Sequence, residues 1–264
     1  MRNIAVYCVN YHSYDSLGRY LSSVDEAAAQ AEDGLNLAVF VGDNTEQSQT
    51  VDYEPAHFAL HVVPTGRNMG YFGAVRLLME QHSPQNYDYT IISNVDVLLS
   101  ADFFTTLVSM PAESDLGWLA PQIYSHLEGR DRNPKILRRY AKRKLQVLRA
   151  LFAVPPLYNL YTHTAYKQKK FVHHEAGDIY AGHGSFIILT QAYFRCCGII
   201  DYPVFLFCEE IYLGEMCQKH SLRVRYVPTL KVTDAEHAST GTFRRSRYCR
   251  YNYQALSYIL STYY

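Results

Sequence analysis

The sequence lacks the features that mark several special classes of protein. No apolar run approaches the roughly 18 residues that cross a bilayer, and no apolar signal region precedes the first predicted strand. The six cysteines include no C-x-x-C pair, which argues against a zinc site or a disulfide framework and favours reduced thiols. Lysine plus arginine and aspartate plus glutamate number 25 each, so the charge indicates no nucleic-acid partner. These absences predict a cytoplasmic globular protein.

Apolar strands alternate with helical patterns in the first 102 residues. Hydrophobic residues make up 48% of the chain, which is enough for one large core. The order strand, helix, strand, strand, helix, strand is typical of a mostly parallel, Rossmann-like α/β sheet flanked by helices. At 264 residues we expect one domain, or one domain with an insertion. The predicted strands cover residues 4–9, 37–41, 59–63 and 90–92, and the predicted helices cover residues 17–31 and 74–81.

Each of the first three predicted strands is followed by polar residues. Asn10 and Tyr11 follow the first strand, Asp43 follows the second, and a loop with Asn68 and Gly70 follows the third. Because open α/β sheets bind ligands at the carboxyl ends of their strands, these side chains predict a crevice at one edge. Polar strand ends are also ordinary turn formers, so each residue alone is a weak signal. The loop has neither the G-x-G-x-x-G nor the Walker spacing.

Residues 90–102, TIISNVDVLLSAD, are the centre of the predicted crevice. The apolar run breaks at Asn94 and Asp96 and then resumes, so Asp96 stands between apolar residues and not in a charged stretch. Carboxylate oxygens suit Mg²⁺ or Mn²⁺, which usually keep several waters and bridge to substrate phosphates. Asp96 is therefore a candidate ligand for a divalent cation that carries a phosphorylated ligand. The alternative is that Asp96 caps a helix beginning near Ala101.

A histidine between two glycines marks the entry to a strand predicted over residues 179–190. Gly182, His183 and Gly184 would let a substrate approach the backbone closely, or they would form a β-bulge. A short helical turn follows at residues 193–198. The last predicted strands cover residues 222–227 and 229–232, on either side of Pro228.

Two adjacent acids, Glu209 and Glu210, follow the apolar run of residues 204–208. At the start of a helix, adjacent residues face about 100° apart, so one acid can point into a cleft while the other complements the helix dipole. A carboxylate beside apolar side chains is a candidate general base, because partial burial raises its pKa. The dipole alone would explain one acid of the pair but not both.

The polar loop at residues 234–241, DAEHASTG, contains candidate ligands for a metal or a phosphate. Asp234 and His237 stand three residues apart in it, although a lone histidine is more often structural. The stretch at residues 242–250 then carries four arginines, including Arg247. These arginines could close over a diphosphate, or they could form a solvated helix face.

Residues 130–149 carry nine lysines and arginines against one acid, Asp131, with a helical pattern of apolar residues that continues through residues 150–161. A second basic cluster lies at residues 167–170. A basic amphipathic segment can lie on an anionic membrane surface, here the inner face of the cytoplasmic membrane, or bind a phosphorylated acceptor. A solvated helix packed on the domain and a homodimer contact are the alternatives. We therefore treat residues 129–170 as a basic helical insertion.

Taken together, these motifs make the sequence resemble the family 2 glycosyltransferases, in particular the rhamnosyltransferase-like branch that builds bacterial surface polysaccharides. The resemblance covers nearly the whole chain and rests on the order and spacing of its motifs. The N-x-G loop of the family is matched at residues 68–73, and its N-P-D-V variant of the DxD motif is matched at residues 94–97. Other signature segments are matched at residues 6–11, 184–189, 205–213, 226–228 and 232–240.

The resemblance implies a GT-A fold and an inverting transfer of sugar from a nucleotide-diphosphate donor to a hydroxyl of a glycan or lipid-linked acceptor. Asp43 would bind the base, and Asp96 would hold Mn²⁺ or Mg²⁺ on the diphosphate. Glu210 would deprotonate the acceptor hydroxyl, and Glu209 would help to position the loop. The other implied residues are Asn10, Tyr11, Asn68, Gly70, Asn94 and Arg247 for the donor, Gly182, His183 and Gly184 for the acceptor, and Asp234 and His237 for the metal.

The resemblance also divides the chain into a nucleotide-sugar-binding half, residues 1–128, and an acceptor and catalytic half, residues 171–264. Three positions depart from the family pattern. Glu210 replaces an Asp, Tyr212 stands where a further Asp is common, and Asp234 stands where V-x-H places its His. These departures keep open a non-catalytic binding subunit of the same fold. A sugar-nucleotide nucleotidyltransferase would need a loop rich in Gly and Arg after the first strand, and the chain lacks one.

Overall fold

A computed structural model of the protein describes residues 1–31, 34–164, 173–234 and 244–264. These residues form a central sheet with helices on both faces. Up to residue 94 the elements follow the predicted alternation of strands and helices, and two further strands and a helix follow up to residue 125. They are β1 (Arg2–Asn10), α1 (Tyr14–Ala29), β2 (Leu35–Asp43), β3 (Ala59–Pro64), α2 (Tyr71–Gln81), a 3₁₀ turn (Pro84–Asn86), β4 (Tyr89–Asn94), β5 (Val97–Leu99), α3 (Phe103–Ser109) and β6 (Leu116–Ser125).

The second half adds short strands to the sheet and helices to its flanks. Its elements are β7 (Arg130–Asp131), α4 (Lys142–Ala153), α5 (Pro155–Thr164), β8 (Gly177–Ile179), β9 (Phe186–Thr190), α6 (Gln191–Cys197), α7 (Glu209–Lys219), β10 (Arg223–Asp234) and α8 (Arg245–Tyr263).

The strand order of the sheet is β3-β2-β1-β4-β9-β6-β10-β5, with β7 beside β6 and β8 beside β10. The first four strands are parallel, as predicted. The sheet is mixed beyond them, because β9 runs antiparallel to both β4 and β6, while β6 and β10 are parallel to each other. One edge therefore collects the carboxyl ends of β1, β2, β4, β6 and β10 and the beginning of β9.

The sheet separates two apolar layers. In β1, Ala5 and Tyr7 pack into the layer that contains α2, α7 and α8, whereas Ile4, Val6 and Cys8 pack into the layer that contains α1 and α3. This alternation follows from the two-residue period of a strand, and it explains why the β1 sequence is continuously apolar. All six cysteines are free thiols.

Strand β6 lies inside the sheet and was not predicted. Its apolar residues indicate a strand, but Pro121 has no N–H for a ladder and argues against a central one. The structure accommodates Pro121 beside an irregularity of β10, where the register shifts after Val227. On the other side, β9 pairs with β6 only at Trp118 and Leu119, so the proline interrupts no ladder there.

The helical interpretation of residues 130–141 is wrong. Residues 130 and 131 form β7, the Arg132 N–H donates to the Ile123 carbonyl at 2.8 Å, and Ile136 bridges to Ala181. Pro134 disfavours helical dihedrals in the residue before it, so the backbone groups pair with neighbouring strands instead. The helical part of the insertion begins only at α4, and its second basic cluster lies outside the described residues.

One further boundary also differs from the prediction. The single strand predicted over residues 179–190 is two strands, β8 and β9, which join different neighbours in the sheet. The segment between them, residues 180–185, turns along the edge that collects the strand ends. Within the described ranges, no helix combines the length and the apolar character that crossing a bilayer requires.

Candidate functional site

The carboxyl ends of β1 and β2 form one side of the site. Asn10 and Asp43 are both fully buried, and the Asn10 amide donates to Asp43 Oδ1 at 3.0 Å. The Tyr14 hydroxyl donates to Asp43 Oδ2 at 2.7 Å, and the Thr45 backbone N–H donates to Oδ1 at 3.2 Å. Burial raises the pKa of Asp43, but these hydrogen bonds outweigh it and hold the pKa below 3.8. Asp43 is therefore an ionised carboxylate that organises the strand ends around it.

The N-x-G loop connects this side of the site to a second loop. Asn68 Oδ1 accepts from the Gly70 N–H at 2.9 Å, and the buried Asn44 amide donates to the Gly70 carbonyl at 2.9 Å. Gly70 has φ +76° and ψ −177°, and a Cβ there would lie 2.1 Å from the Phe205 carbonyl oxygen. The loop therefore packs directly on the segment that leads to Glu209. Both Asn68 and Gly70 have a structural role, and their part in donor binding stays a prediction.

Asp96 lies in the turn between β4 and β5, next to the start of β9. The Asn94 N–H donates to the Ser185 carbonyl at 2.9 Å, and the Asn94 side chain hydrogen-bonds to Asp96. The N-cap position of α3 is taken by Asp102, six residues later. The interpretation of Asp96 as a helix cap is therefore wrong, and its carboxylate is half-buried at the edge of the sheet.

A second carboxylate lies beside Asp96. Asp234, the last residue of β10, pairs with Val97 in β5, and its side chain forms an ion pair with Arg132. Burial raises the pKa of Asp96 to about 6, the Asp234 carboxylate adds to the rise, and Arg132 opposes it. Two of the three predicted metal ligands are thus brought together, with a cation, Arg132, that the prediction did not include.

The donor set fits a hard divalent cation. Mg²⁺ and Mn²⁺ are usually held by one or two carboxylates, with waters and substrate phosphates completing the shell. A cation between Asp96 and Asp234 would also relieve the repulsion that raises the Asp96 pKa. The described residues include no group of three or more His, Cys, Asp or Glu that could hold a metal ion, so this pair would need waters or substrate oxygens to complete the shell. The third predicted ligand, His237, lies outside the described residues.

The two adjacent acids point in different directions. Glu209 is buried and its Oε1 accepts from the Phe207 N–H at 2.9 Å, within its own loop. Glu210 is half-buried and its Oε1 accepts from the Gly184 N–H at 3.3 Å. Phe207 and Cys208 both have positive φ, +76° and +64°, a strained conformation that non-glycine residues seldom adopt. The strained turn thus directs Glu209 into the protein and Glu210 toward the segment before β9.

Burial and the neighbouring Glu210 raise the pKa of Glu209 from 4.5 to about 8. The Tyr71 hydroxyl is also buried, and it has no hydrogen-bond partner among the described residues. Burial and then the charges of Glu209, Tyr20 and Asp96 raise the pKa of Tyr71. Tyr71 therefore lies near the charges of Glu209 and Asp96, and the sequence did not single it out.

The raised pKa of Glu209 predicts a pH-dependent stability. The folded state binds the Glu209 proton more tightly than the unfolded state, so the stabilisation is complete below pH 4.5 and is lost as the pH rises through about 8. We expect the melting temperature of the protein to fall over this window, and the fall to be smaller in Glu209→Gln. Thermal unfolding of both proteins across the window measures this. Parallel curves for the two proteins would show that Glu209 titrates normally.

His183 is held as a neutral imidazole. Its Nδ1 accepts from the Ser185 N–H at 3.1 Å, and its own backbone N–H donates to Asn133 Oδ1 at 2.7 Å. Burial and then the nearby Lys135 and Arg132 lower the pKa of His183 well below 6.5. Because Nδ1 accepts a hydrogen bond, Nε2 carries the proton and is available as a donor.

The other residues that were predicted to bind the acceptor or the donor differ in their exposure and in their contacts. A Cβ at Gly182 would lie 2.7 Å from the Ala120 Cβ, so Gly182 is needed for core packing, whereas Gly184 faces Glu210. Tyr11 is 39% exposed at the rim, with its hydroxyl 3.5 Å from Glu46 Oε1. Arg247 is exposed in the first turn of α8, and its side chain has no hydrogen bond or ion pair within the described part of the chain.

Several residues of the site were missed by the sequence reasoning. Arg132 lies within a run of basic residues and has no distinguishing signal of its own. Asn44 directly follows Asp43, so the polar end of β2 could have indicated it. The remaining ones depend on contacts between distant segments, and they are Tyr14, Tyr71, Asn133 and Ser185.

Solved structures with a similar fold are glycosyltransferases. The mannosyltransferase PcManGT from Pyrobaculum calidifontis, in complex with GDP-Man and Mn²⁺, is 14% identical with a TM-score of 0.56, over 90% of this chain and 58% of its own. S. aureus TarS 1-349 is 10% identical with a TM-score of 0.56, over 86% and 58%. GalNAc-T7 with UDP, GalNAc and Mn²⁺ is 11% identical with a TM-score of 0.59, over 94% and 47%.

The likeness to these structures shows the fold. The protein is an α/β protein with the GT-A fold that these glycosyltransferases share, and the predicted fold class is confirmed. The chain spans 47–58% of the length of these three proteins. No protein-family model matches the sequence, and no curated protein matches it.

Proposed function

We propose that this protein is an inverting, metal-dependent glycosyltransferase that uses a nucleotide-diphosphate sugar donor. One observation carries the proposal: Asp96 and Asp234 lie together at the edge where the strands of a GT-A fold end, and Glu210 lies nearby. Glu210 is connected to Asn94 through two consecutive residues, because Glu210 accepts from Gly184 while Asn94 donates to Ser185. A candidate base and a candidate diphosphate site therefore adjoin, as direct displacement at an anomeric carbon requires.

The donor would lie along the strand ends. Asn10, Tyr14 and Asp43 form a hydrogen-bonded group that would bind the base and ribose, with Tyr11 at its rim. Asp96 and Asp234 would hold Mn²⁺ or Mg²⁺, whose charge would stabilise the leaving diphosphate. Arginines at the start of α8, including Arg247, would add positive charge to the same end of the donor.

The acceptor would lie between Glu210 and His183. Its hydroxyl oxygen attacks the anomeric carbon, the bond from that carbon to the diphosphate oxygen breaks, and the hydroxyl proton passes to the Glu210 carboxylate. Neutral His183 can donate a hydrogen bond from Nε2 to an acceptor oxygen without competing for that proton. Glu209, buried and bonded to the Phe207 N–H, would hold the turn that aims Glu210.

The substrate class follows from the resemblance of the motifs to the rhamnosyltransferase-like branch of family 2. We propose a hexosyl or deoxyhexosyl donor and a glycan or lipid-linked acceptor in bacterial surface polysaccharide synthesis, on the cytoplasmic side of the membrane. Two of the similar structures contain GDP-Man or UDP together with Mn²⁺, which supports a nucleotide-diphosphate donor and a divalent cation here.

Asp96→Asn tests the donor site. UDP, GDP, dTDP and CDP are each added with and without Mn²⁺, and a ligand that binds the folded state raises the melting temperature by mass action. We expect one nucleotide to give a metal-dependent shift, and Asp96→Asn to lose it. Asp102→Asn is the control, because this exposed acid lies in the same stretch and its carboxylate accepts from the Ser100 hydroxyl at 2.7 Å. Equal nucleotide affinity in Asp96→Asn, with and without Mn²⁺, would refute the role of Asp96.

We also propose that the helical part of the insertion contacts an anionic membrane. Helices α4 and α5 and the residue between them expose apolar side chains: Val147 is 59% exposed, Val154 49%, Leu157 45% and Leu160 59%. Leu157 and Leu160 are three residues apart on α5 and share a helix face, and cations lie at the start of α4. An apolar stripe beside lysines and arginines suits the boundary between acyl chains and anionic headgroups.

Vesicles of phosphatidylserine and phosphatidylcholine test this contact. We expect binding that weakens at least tenfold between about 0.05 and 0.5 M salt, because counterions screen the charges. Val147→Asp should weaken binding more than Gln146→Asp, which makes the same charge change on the same helix without removing an apolar group. Absence of vesicle binding, or binding that does not depend on the salt concentration, would refute the membrane contact. The exposed apolar residues would then be a contact with another chain.

A further inference from the structure

A cation from the basic insertion lies at the carboxylate side of the site. Arg132 follows the short strand β7 and forms an ion pair with Asp234, while its other terminal nitrogen lies 3.3 Å from Glu128 Oε1. Its Nε is buried and has no hydrogen-bond partner among the described residues. The Arg132 side chain is 21% exposed, that of Asp234 5% and that of Glu128 35%. The arginine therefore stands between a buried acid and a more exposed one.

The backbone that carries Arg132 is anchored. The Arg132 N–H donates to the Ile123 carbonyl at 2.8 Å, and the Asn133 side chain donates to a carbonyl of β6 at 2.7 Å. On the preceding residue, Asp131 accepts from the Tyr226 hydroxyl at 2.6 Å. A change of partner by the guanidinium must therefore come from rotation of the side chain and not from movement of the backbone.

The charges around Asp96 require a counter-cation. Asp234 pairs with Val97, the residue after Asp96, and two carboxylates so placed would repel each other without a cation. Arg132 supplies one positive charge to this pair. A divalent cation bound to the same carboxylates would supply two, and it would repel a guanidinium that remained in contact with Asp234. Arg132 and a divalent cation therefore compete for Asp234.

We propose, on the basis of the proposed function, that Arg132 is the resident counter-cation of Asp96 and Asp234. When metal and donor bind, Arg132 changes its partner. The guanidinium then leaves Asp234 and binds the donor diphosphate, an anion that arginine contacts through paired N–H groups. The buried Nε supplies a donor that no described residue uses. Metal and diphosphate would bind cooperatively, because the metal displaces Arg132 and the diphosphate gives Arg132 a new partner.

Arg132→Gln tests the exchange by titration calorimetry in two parts. Mn²⁺ alone is expected to bind the variant at least about tenfold more tightly than the unmodified protein, because the repelling charge is gone. At saturating Mn²⁺, UDP or GDP is expected to bind the variant about tenfold more weakly, because a charge-assisted contact to the diphosphate is lost.

Two further variants control for charge and for folding. Arg130→Gln makes the same charge change two residues away, at an arginine that pairs with Glu128, and it should behave like the unmodified protein. Arg132→Lys keeps a cation beside Asp234 and should keep the weaker binding of Mn²⁺ alone. A melting curve of each variant shows that it is folded before it is titrated.

The outcomes separate this inference from the proposed function. Equal or weaker binding of Mn²⁺ to Arg132→Gln would overturn the counter-cation role, even where nucleotide binding upholds the donor site. Tighter binding of Mn²⁺ with unchanged nucleotide affinity would overturn the exchange of partners. Absence of nucleotide binding to the unmodified protein would instead refute the proposed function, and the exchange with it.

Discussion

Replacing Glu210 by glutamine is expected to lower the rate of sugar transfer about 10³-fold while donor binding stays intact. Glutamine has the same shape, and its carbonyl oxygen can still accept from the Gly184 N–H at the position of Glu210 Oε1. It cannot accept the proton of the acceptor hydroxyl, so only the chemical step is affected. Single-turnover transfer rates and the dissociation constant of the donor, measured on both proteins, check this expectation.

Glu209→Gln is the matched control for this experiment. With a pKa of about 8, Glu209 is mostly protonated at neutral pH, and glutamine resembles the protonated acid. The amide oxygen can still accept from the Phe207 N–H, so we expect the transfer rate at neutral pH to stay within about threefold of the unmodified protein. The reverse result, a large loss at Glu209 and a small one at Glu210, would move the general base to Glu209.

Gly70→Ala is expected to destabilise the protein by about 3 kcal/mol or more. At φ +76° and ψ −177° the backbone is in a region that is essentially restricted to glycine, and the new Cβ would lie 2.1 Å from the Phe205 carbonyl oxygen. The two loops must then separate, which also disturbs the turn that positions Glu210. For a protein of this size we expect the melting temperature to fall by roughly 6–12 °C.

Gly66→Ala separates the clash from the backbone strain. Gly66 also has positive φ, +68°, but a Cβ there would meet no atom within 4 Å. We expect a loss of only about 1 kcal/mol, from the cost of left-handed backbone alone. Similar losses at both glycines would mean that the contact between the Gly70 loop and Phe205 contributes little to stability.

The polar strand ends were predictable because they are joined covalently to the strands. Once β1, β2 and β4 are parallel neighbours, Asn10, Asp43 and Asn94 must lie at the same edge, and the register places them there. Apolar periodicity was sufficient to predict these three strands. It was insufficient for β6, because Pro121 argues against a central strand. Only the structure shows the irregularity of β10 that accommodates this proline.

The structure of the basic insertion, in contrast, could not be predicted from its sequence. Its charge pattern suggested one long helix, yet residues 130 and 131 pair with β6 and Ile136 bridges to Ala181. His183 contacts Asn133 fifty residues earlier, and Arg132 contacts Asp234 about a hundred residues later. Local composition contains no information about such partners, because they depend on the register of β6, β7 and β10.

The sequence by itself determined the α/β class, the order of the first strands and the polar residues at their ends, since each depends on neighbours along the chain. It also marked Glu209 and Glu210 as a pair, and the resemblance to the family 2 glycosyltransferases favoured Glu210 as the base. Only the tertiary structure shows where the two side chains lie, through a strained turn that buries Glu209 and directs Glu210 toward Gly184. Only the tertiary structure brought Arg132 to Asp234, because the charge balance of a buried site is set by segments that meet in space.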